Sequence, residues 1–336
     1  MRCPKLHELP EPPRGKTGWP WTEGSRQLPE TMPDGRPWPT VTVVTPSFNQ
    51  GQFIEETIRS VLLQGYPNLE YFVLDGGSTD NSVEIIKKYA PWLTYWVSEP
   101  DGGQSSAINH GLNMGSGLFA TWINSDDLLG KDALVEHASR VGFAPNTVYV
   151  GRCAYMDAAG TVVATHRGRV HSLEDLLRIR TVWRSGGSID QPAVLFPLPL
   201  ALTVGGLDVD NHRTMDYELW GKFFLAGASF QYTDVLFGVF RRQPDQKTSD
   251  GLQTTQSLME TAVKLANLAP YSEETKGEIL ADLAAYHEAY KEYAWRNSGR
   301  LARIGLPRNL VIQLRCLRAG LQKITKNFSR SPAQGA

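Results

Sequence analysis

Between Val41 and Asp127 short β-branched runs alternate with amphipathic stretches, and each β-run ends in a polar or glycine-rich tip. VTVVTP stops at Pro46 and gives way to SFNQG, LEYFVLD ends in GGSTDNS, and LTYWVSEPDGG and LFATWINSDD repeat the pattern. Between these runs, Gln52 to Gln64 carries Phe53, Ile54, Ile58, Val61 and Leu62 on one helical face. Asp80 or Asn81 stands where a helix running to Tyr89 needs a cap, and Ser105 to Met114 forms a third helical stretch. Strands that alternate with helices return in parallel through right-handed crossovers, which predicts an α/β fold with a parallel sheet. Ligands bind such sheets beyond the carboxyl ends of the strands, so the tips are the place to look for chemistry.

The texture changes on either side of this region. Residues 1–38 hold many of the prolines and Trp19, Trp21 and Trp38 with no helical or strand period, and read as an N-terminal arm. Such large apolar groups tend to cover a surface rather than float. After residue 150 the spacing predicts a β-hairpin over 148–166 turned by DAAG and a short helix over 172–180. A helical MDYELWGKFFLAG, a strand FQYTDVLFGVFRR and helices from 255 to about 295 follow. The expected division is an arm at 1–38, a domain at 39–250 with halves at 39–150 and 151–250, a helical basic extension at 251–330, and a disordered tail at 331–336.

Composition narrows the classes. Lys plus Arg number 34 against 35 for Asp plus Glu, so no basic surplus points to nucleic acid. Cys3, Cys153 and Cys316 are far apart and show no CxxC spacing, which argues against a disulfide framework or a zinc site and suits a reducing cytoplasm. The opening MRCPKLHELPEPPRG lacks the apolar run of a signal peptide, and PAVLFPLPLALTVGGL is too short and too rich in Pro and Gly for a spanning helix. The expectation is a soluble protein, membrane-peripheral at most.

The strand tips carry acids: Asp75 in VLDGGSTD, Asp101 in SEPDGGQS, and the adjacent Asp126 and Asp127 in INSDD. Two neighbouring carboxylates beside a low-dielectric core call for a cation or a proton. If the strands lie side by side, one mouth collects several carboxylates. Mg²⁺ or Mn²⁺ suits that arrangement, with diphosphate oxygens completing its shell. Taken singly, each acid also reads as a turn residue or helix cap.

TPSFNQGQFIEETIRSVLLQGYPNLEYFVLDGGSTDNS, followed by EPDGGQSSAINHG and INSDD, resembles family 2 glycosyltransferases of the GT-A fold over roughly residues 40–250. The resemblance implies a mixed, mainly parallel sheet flanked by helices, with a Rossmann-like nucleotide-binding half and a helical C-terminal extension. It also implies an inverting transfer from a nucleotide-diphosphate sugar that uses Mn²⁺ or Mg²⁺. By the same resemblance Thr45, Pro46 and Phe48 line the nucleotide pocket, Asp75 lies close to the base, and Gln104, Ala107 and Asn109 face the donor. Asp127 would hold the metal, and Asp126 would contact ribose or the metal's water shell. Asp216 in TMDYELW falls where the family places its base, preceded by Met215 instead of an acid; Glu218, two residues on, is the fallback on another helix face. In FRRQPDQKTSD, Arg241, Gln246, Lys247 and Thr248 match a loop that closes over the diphosphate, while Gln243 stands where a histidine is common. Gly76 replaces a second acid that many relatives carry after Asp75.

Three further readings come from position and pattern. GGSIDQP, residues 186–192, falls where an acceptor cleft is expected, and Trp183 is either a sugar platform or core. The stretch from Arg296 to Arg330 interleaves Arg300, Arg303, Arg308, Arg315, Arg318, Lys323 and Lys326 with apolar residues. It reads either as a helix packed on the domain with a solvated basic face or as peripheral contact with an anionic membrane, which would suit a lipid-linked acceptor. The resulting expectation is a cytoplasmic enzyme acting on a glycan or glycolipid acceptor in cell-surface polysaccharide or lipopolysaccharide synthesis. A non-catalytic nucleotide- or carbohydrate-binding protein on the same fold, or a nucleotide-sugar pyrophosphorylase, is the alternative. No basic phosphate loop follows the first strand, which counts against the pyrophosphorylase, and no GxGxxG follows it either, against a dinucleotide dehydrogenase.

Overall fold

The computed structural model describes residues 3–243 and 251–296. Contacts divide the chain into two compact units, Met1–Leu283 and Ala284–Ala336. The first holds a nine-stranded mixed sheet. Its first part is built from β1 (Val41–Ser47), β2 (Leu69–Asp75), β3 (Tyr95–Ser98) and β4 (Phe119–Trp122), linked by α1 (Ile54–Leu62), α2 (Ser82–Tyr89) and α3 (Gln104–Met114). These strands run parallel in the order β3-β2-β1-β4. The chain therefore moves outward from β1 to β3 and returns across it to β4, a topological switch beside β1. β1 is buried at every position because helices cover both faces of a parallel sheet.

Beyond β4 the sheet becomes mixed. β5 (Leu128–Leu129) and α4 (Ala133–Arg140) precede the antiparallel hairpin of β6 (Thr147–Met156) and β7 (Val162–His166). Then come α5 (Leu173–Leu177), a wide helical stretch Ile179–Gly187, β8 (Val194–Pro197), α6 (Leu198–Thr203), α7 (Met215–Leu225) and β9 (Ser229–Arg241). β8 joins antiparallel to both β4 and β6, whereas β6 and β9 run parallel. The two-residue β5 pairs with β9, Leu128 opposite Val239. α8 (Gly251–Leu268) and α9 (Glu273–Arg296) split the predicted C-terminal helical region in two.

One apolar contact sets the site's frame. Trp220 on α7 stacks on Trp122 of β4, with ring centroids 5.8 Å apart, and Phe196 of β8 meets both rings. Residues four apart share a helix face, so Asp216 lies on the face of α7 that carries Trp220. The strand that leads into the paired acids and the helix that carries the expected base are thus packed directly together.

The arm is fastened to the same unit. Trp21 and Trp38 are buried, and so is the guanidinium-bearing Arg59 of α1. Arg59 donates to the carbonyls of Pro10, Pro20 and Trp21 and to the Tyr89 hydroxyl, which places a cation held by four hydrogen bonds under the arm. Among the described residues no helix is long and apolar enough to cross a membrane.

Candidate active site at the strand tips

The tips of β1 and β2 are stitched to each other before any ligand is considered. The Asn49 N–H donates to Ser78 Oγ, its side-chain oxygen accepts from the Thr79 N–H, and the Gly51 N–H donates to Asp80. A Cβ at Gly51 would fall 1.9 Å from Asn81 Oδ1, so this approach of the two loops requires glycine. Thr45 is buried with its hydroxyl 3.0 Å from the Tyr71 hydroxyl, and Pro46 is buried beside it. Phe48, one residue beyond β1, is 59% exposed and offers a bare ring at the mouth.

Asp75 closes β2 and is 1% exposed. Its carboxylate accepts from the Ser78 N–H at 2.9 Å, the Ser78 hydroxyl at 2.5 Å and the Ser98 hydroxyl at 2.7 Å. The acid expected near the base is therefore largely satisfied by its own loops. Asp101, by contrast, is exposed, and its oxygens lie 3.2 Å from where a Cβ on Gly76 would be. A shallow cavity opens here, walled by Leu74, Val97, Asp101, Ser106, Ala107 and His110. Ala107 is part of this cavity's wall. Gln104 turns the other way along the mouth and donates to Asn124 Oδ1 at 2.8 Å. Asn109 does not project into this cavity: its amide exchanges two hydrogen bonds with the backbone of Leu207, tying α3 to the loop ahead of α7.

The paired acids sit in a turn between β4 and β5, closed by the Asp127 N–H donating to the Asn124 carbonyl. Asp127 is fully buried; one oxygen accepts from the Arg241 N–H at 2.9 Å and the other faces the Asn124 amide at 3.3 Å. Burial first, and the neighbouring charge of Asp126 second, hold its carboxyl well above the usual carboxylate range. Asp126 is half-buried and accepts from the Gln243 amide at 2.5 Å. Arg241 braces the turn from behind: Nε donates to the Asp126 carbonyl, Nη2 pairs with Glu56 at 2.8 Å, and the guanidinium lies over Phe53. At 3% exposure the Arg241 side chain is a strut inside the protein. Gln246, Lys247 and Thr248 lie outside the described residues.

Asp216 is the second residue of α7, with its Oδ1 accepting from the Tyr217 N–H at 2.8 Å. Burial pushes its carboxyl up to about 6, and the charge of Asp190 adds to the effect. Glu218 is buried on another face, paired with Lys264 at 2.8 Å and bonded to the Asn211 amide, so it is locked in the α7–α8 contact. Met215 receives a hydrogen bond from the Ser105 hydroxyl on its sulfur. Trp183 packs edge-on against Tyr217 with centroids 4.9 Å apart.

Sequence reading did not single out Asn124 and Gln191 individually. Asn124 contacts Gln104, Asp127 and Gln191, and Gln191 also donates to the Trp122 carbonyl at 2.6 Å. A polar INS ahead of the acids and an amide in GGSIDQP were the available signals, but only the pairing of β8 with β4 brings them together.

The pattern of glycosyl transferase family 2 matches residues 42–189. Over those residues the chain is similar to that family. A glycosyltransferase of Rickettsia bellii is 29% identical over 192 residues, covering 56% of this chain and 28% of that relative. A Mycobacterium tuberculosis glycosyltransferase is 39% identical over 101 residues, 30% of this chain and 38% of the relative. The match thus spans well under half of either relative. Among solved structures, TarS 1–349 of S. aureus superposes with a TM-score of 0.55 at 18% identity, over 78% of this chain and 75% of that one. The mannosyltransferase PcManGT of Pyrobaculum calidifontis, solved with GDP-Man and Mn²⁺, gives 0.54 at 18% identity over 89% and 84%. The fold is of the GT-A type.

Among the described residues no group of three or more His, Cys, Asp or Glu side chains could by itself hold a metal ion. Asp126 and Asp127, which accept from the Gln243 and Asn124 amide N–H groups, form instead a hard-oxygen set of two carboxylates. That fits Mg²⁺ or Mn²⁺ sharing substrate phosphates and does not fit a closed zinc cage. Burial is the main cause of the high proton affinity of Asp127, and a bound cation would relieve the repulsion from Asp126 that adds to it.

Proposed function

We propose that this protein transfers a sugar from a nucleotide-diphosphate sugar to an acceptor hydroxyl with inversion at the anomeric carbon. The observation that carries the reading is Asp216, a carboxyl raised to about 6 and held by the Trp122–Trp220 contact against the strand that ends in the paired acids. A carboxylate with that affinity is largely ionised at neutral pH yet basic enough to accept a proton in the transition state. In this reading Asp216 takes the proton of the acceptor hydroxyl as its oxygen bonds to the sugar, while the bond to the nucleoside diphosphate breaks.

The donor lies across the tips of β1 to β4. The exposed ring of Phe48 stacks on the base, Thr45 and Pro46 shape the floor, and Ala107 walls the pocket. Asp75 supports this pocket by fixing the Ser78 and Ser98 loops. Gln104 orients Asn124, and Asn109 holds the acceptor half to α3. Asp127 and Asp126 would hold Mn²⁺ or Mg²⁺, which when bound offsets charge on the departing diphosphate. Arg241 acts by bracing that turn, and Gln246 and Lys247 remain proposed contacts to the diphosphate. The acceptor is a growing cell-surface glycan or glycolipid at the cytoplasmic side of a membrane. The basic stretch proposed to meet that membrane lies, beyond Arg296, outside the described residues.

Thermal unfolding with UDP, GDP, dTDP or CMP, each with and without Mn²⁺, tests the reading. Ligand that binds only the native state raises the midpoint with occupancy. One nucleotide is expected to give a metal-dependent shift that Asp127→Ala abolishes. No shift with any nucleotide would sink the donor site and leave a different ligand class for this fold.

A further inference from the structure

His166 ends β7 with both ring nitrogens against acceptors. Nδ1 lies 2.5 Å from Asp190 Oδ2, and Nε2 lies 3.1 Å from the Gly186 carbonyl oxygen. A neutral imidazole has one N–H and one lone pair, so it satisfies only one of these contacts. The imidazolium donates at both nitrogens and satisfies both. The other oxygen of Asp190 accepts from the Tyr155 hydroxyl at 2.7 Å, and the Tyr155 and His166 rings lie 27° from parallel.

The backbone makes the same link. The Arg169 N–H donates to the Gly187 carbonyl, and a Cβ on Gly168 would come within 2.7 Å of the Ser188 carbonyl oxygen. Residues 186–190 are therefore pressed against the end of β7. Both flanks of this turn reach the proposed site. Trp183 packs on Tyr217, the residue after Asp216, and Gln191 joins the Trp122 carbonyl and the Asn124 amide.

We propose that His166 is a positioning residue: an imidazolium pin that fixes Asp190 and the 186–190 turn between the β6–β7 hairpin and the turn bearing the paired acids, and so sets the acceptor side of the cleft. The pin rests on the glycosyltransferase reading of this cleft, with Asp216 as its base.

The charges around it act in both directions. Asp190 favours the proton on His166, and Arg169 opposes it. Arg242 lies over the Tyr155 ring, 4.4 Å from its centroid. Cys153, opposite His166 in the strand register, is a buried thiol pushed far up and uncharged. Asp216 senses the negative charge of Asp190. Asp190 prevails, and the His166 proton affinity is raised above the ordinary imidazole value. The stability this pair adds is full below the ordinary imidazole range and is lost as pH rises through the folded-state value.

Two measurements on the full chain test the pin with His166→Gln and Asp190→Asn. In the first, ring-nitrogen NMR of histidine-labelled protein follows each imidazole through pH. His166 is expected to be doubly protonated at pH 7 and to titrate above the free imidazole range, with Asp190→Asn bringing it back down. A neutral, single-tautomer ring at pH 7 overturns the proposal. In the second, nucleoside-diphosphate release from the donor sugar selected by the nucleotide screen is followed against pH. The wild-type rate is expected to fall about tenfold per pH unit above the His166 titration. His166→Gln removes that alkaline limb and keeps the acid limb, while Asp190→Asn shifts the acid limb to lower pH. Superimposable profiles for wild type and His166→Gln also overturn it. A fully active Asp216→Asn beside a doubly protonated His166 would remove the base assignment and leave the pin's structural part standing.

Discussion

At pH 8 the Asp216 carboxyl is ionised in the folded and the unfolded chain alike, but only the folded chain holds that charge in a half-buried setting. Its folded value, about 6, lies above the ordinary 3.8. The sign is that of a raised acid: its favourable contribution exists below the ordinary value and is lost as pH rises through about 6. Asp216→Asn is therefore expected to gain on the order of 1–3 kcal/mol at pH 8 and nothing at pH 4, read by calorimetric midpoints. The same variant should retain donor binding and lose about 10²–10⁴ in single-turnover rate. A polar residue ahead of an apolar helix was legible in TMDYELW, but its raised proton affinity was not, because the packing of α7 on β4 and the charge of Asp190 come from distant segments. Asp75 makes the contrasting case. It ends a β-strand before a glycine-rich tip just as the other acids do, yet three donors from Ser78 and Ser98 already satisfy it. Ser78, three residues on, and the distant Ser98 together leave Asp75 without a free role, whereas among the described residues Asp216 keeps only one donor, in its own turn.

Strand β9 carries the clearest consequence at the level of elements. It pairs with β5 and β6 and delivers Arg241 behind the turn of Asp126 and Asp127. Arg241 is nearly unexposed and pairs with a Glu56 that is also mostly covered, so removing it leaves a buried carboxylate without its cation. Arg241→Met is expected to cost about 3–5 kcal/mol in urea unfolding and to weaken Mn²⁺-dependent nucleotide binding, measured by titration calorimetry. A loss of binding with no loss of stability would mean that Arg241 meets the diphosphate directly. Helix α7 depends on a different force. Trp220→Ala removes the ring stacked on Trp122 and should cost about 3–5 kcal/mol, because the packed aromatic pair leaves a cavity. Helix α1, strand β2 and the β6–β7 hairpin were plain from periodicity, since each pattern is local. Strand β8 was not, because VLFP and LPLALT form one apolar run whose division into strand and helix depends on β4 and β6 on either side.

Across the whole molecule, pH sensitivity comes from groups far from the cleft as well as in it. His137 on α4 is buried among Phe143, Tyr149 and Phe237, and neither ring nitrogen has a hydrogen-bond partner among the described residues. Burial lowers its proton affinity from 6.5 to about 4. Folded-state stability is thus lost as pH falls from the ordinary imidazole value through about 4, by up to about 3 kcal/mol. His137→Leu should flatten that loss, seen as a smaller difference between urea midpoints at pH 7.5 and 4.5; an unchanged difference would place the acid sensitivity elsewhere. The sequence by itself determined the alternation of strands and helices from Val41 onward, the acids at the tips and the family pattern over 42–189. Those properties are written in neighbouring residues: side-chain period selects strand or helix, and a tip must be polar where a strand leaves the core. Tertiary structure alone decided that Asn109 holds Leu207, that Arg241 is a strut, and that His166 faces two acceptors. Each of those outcomes depends on which distant segment arrives beside a side chain, and no local pattern encodes that arrival.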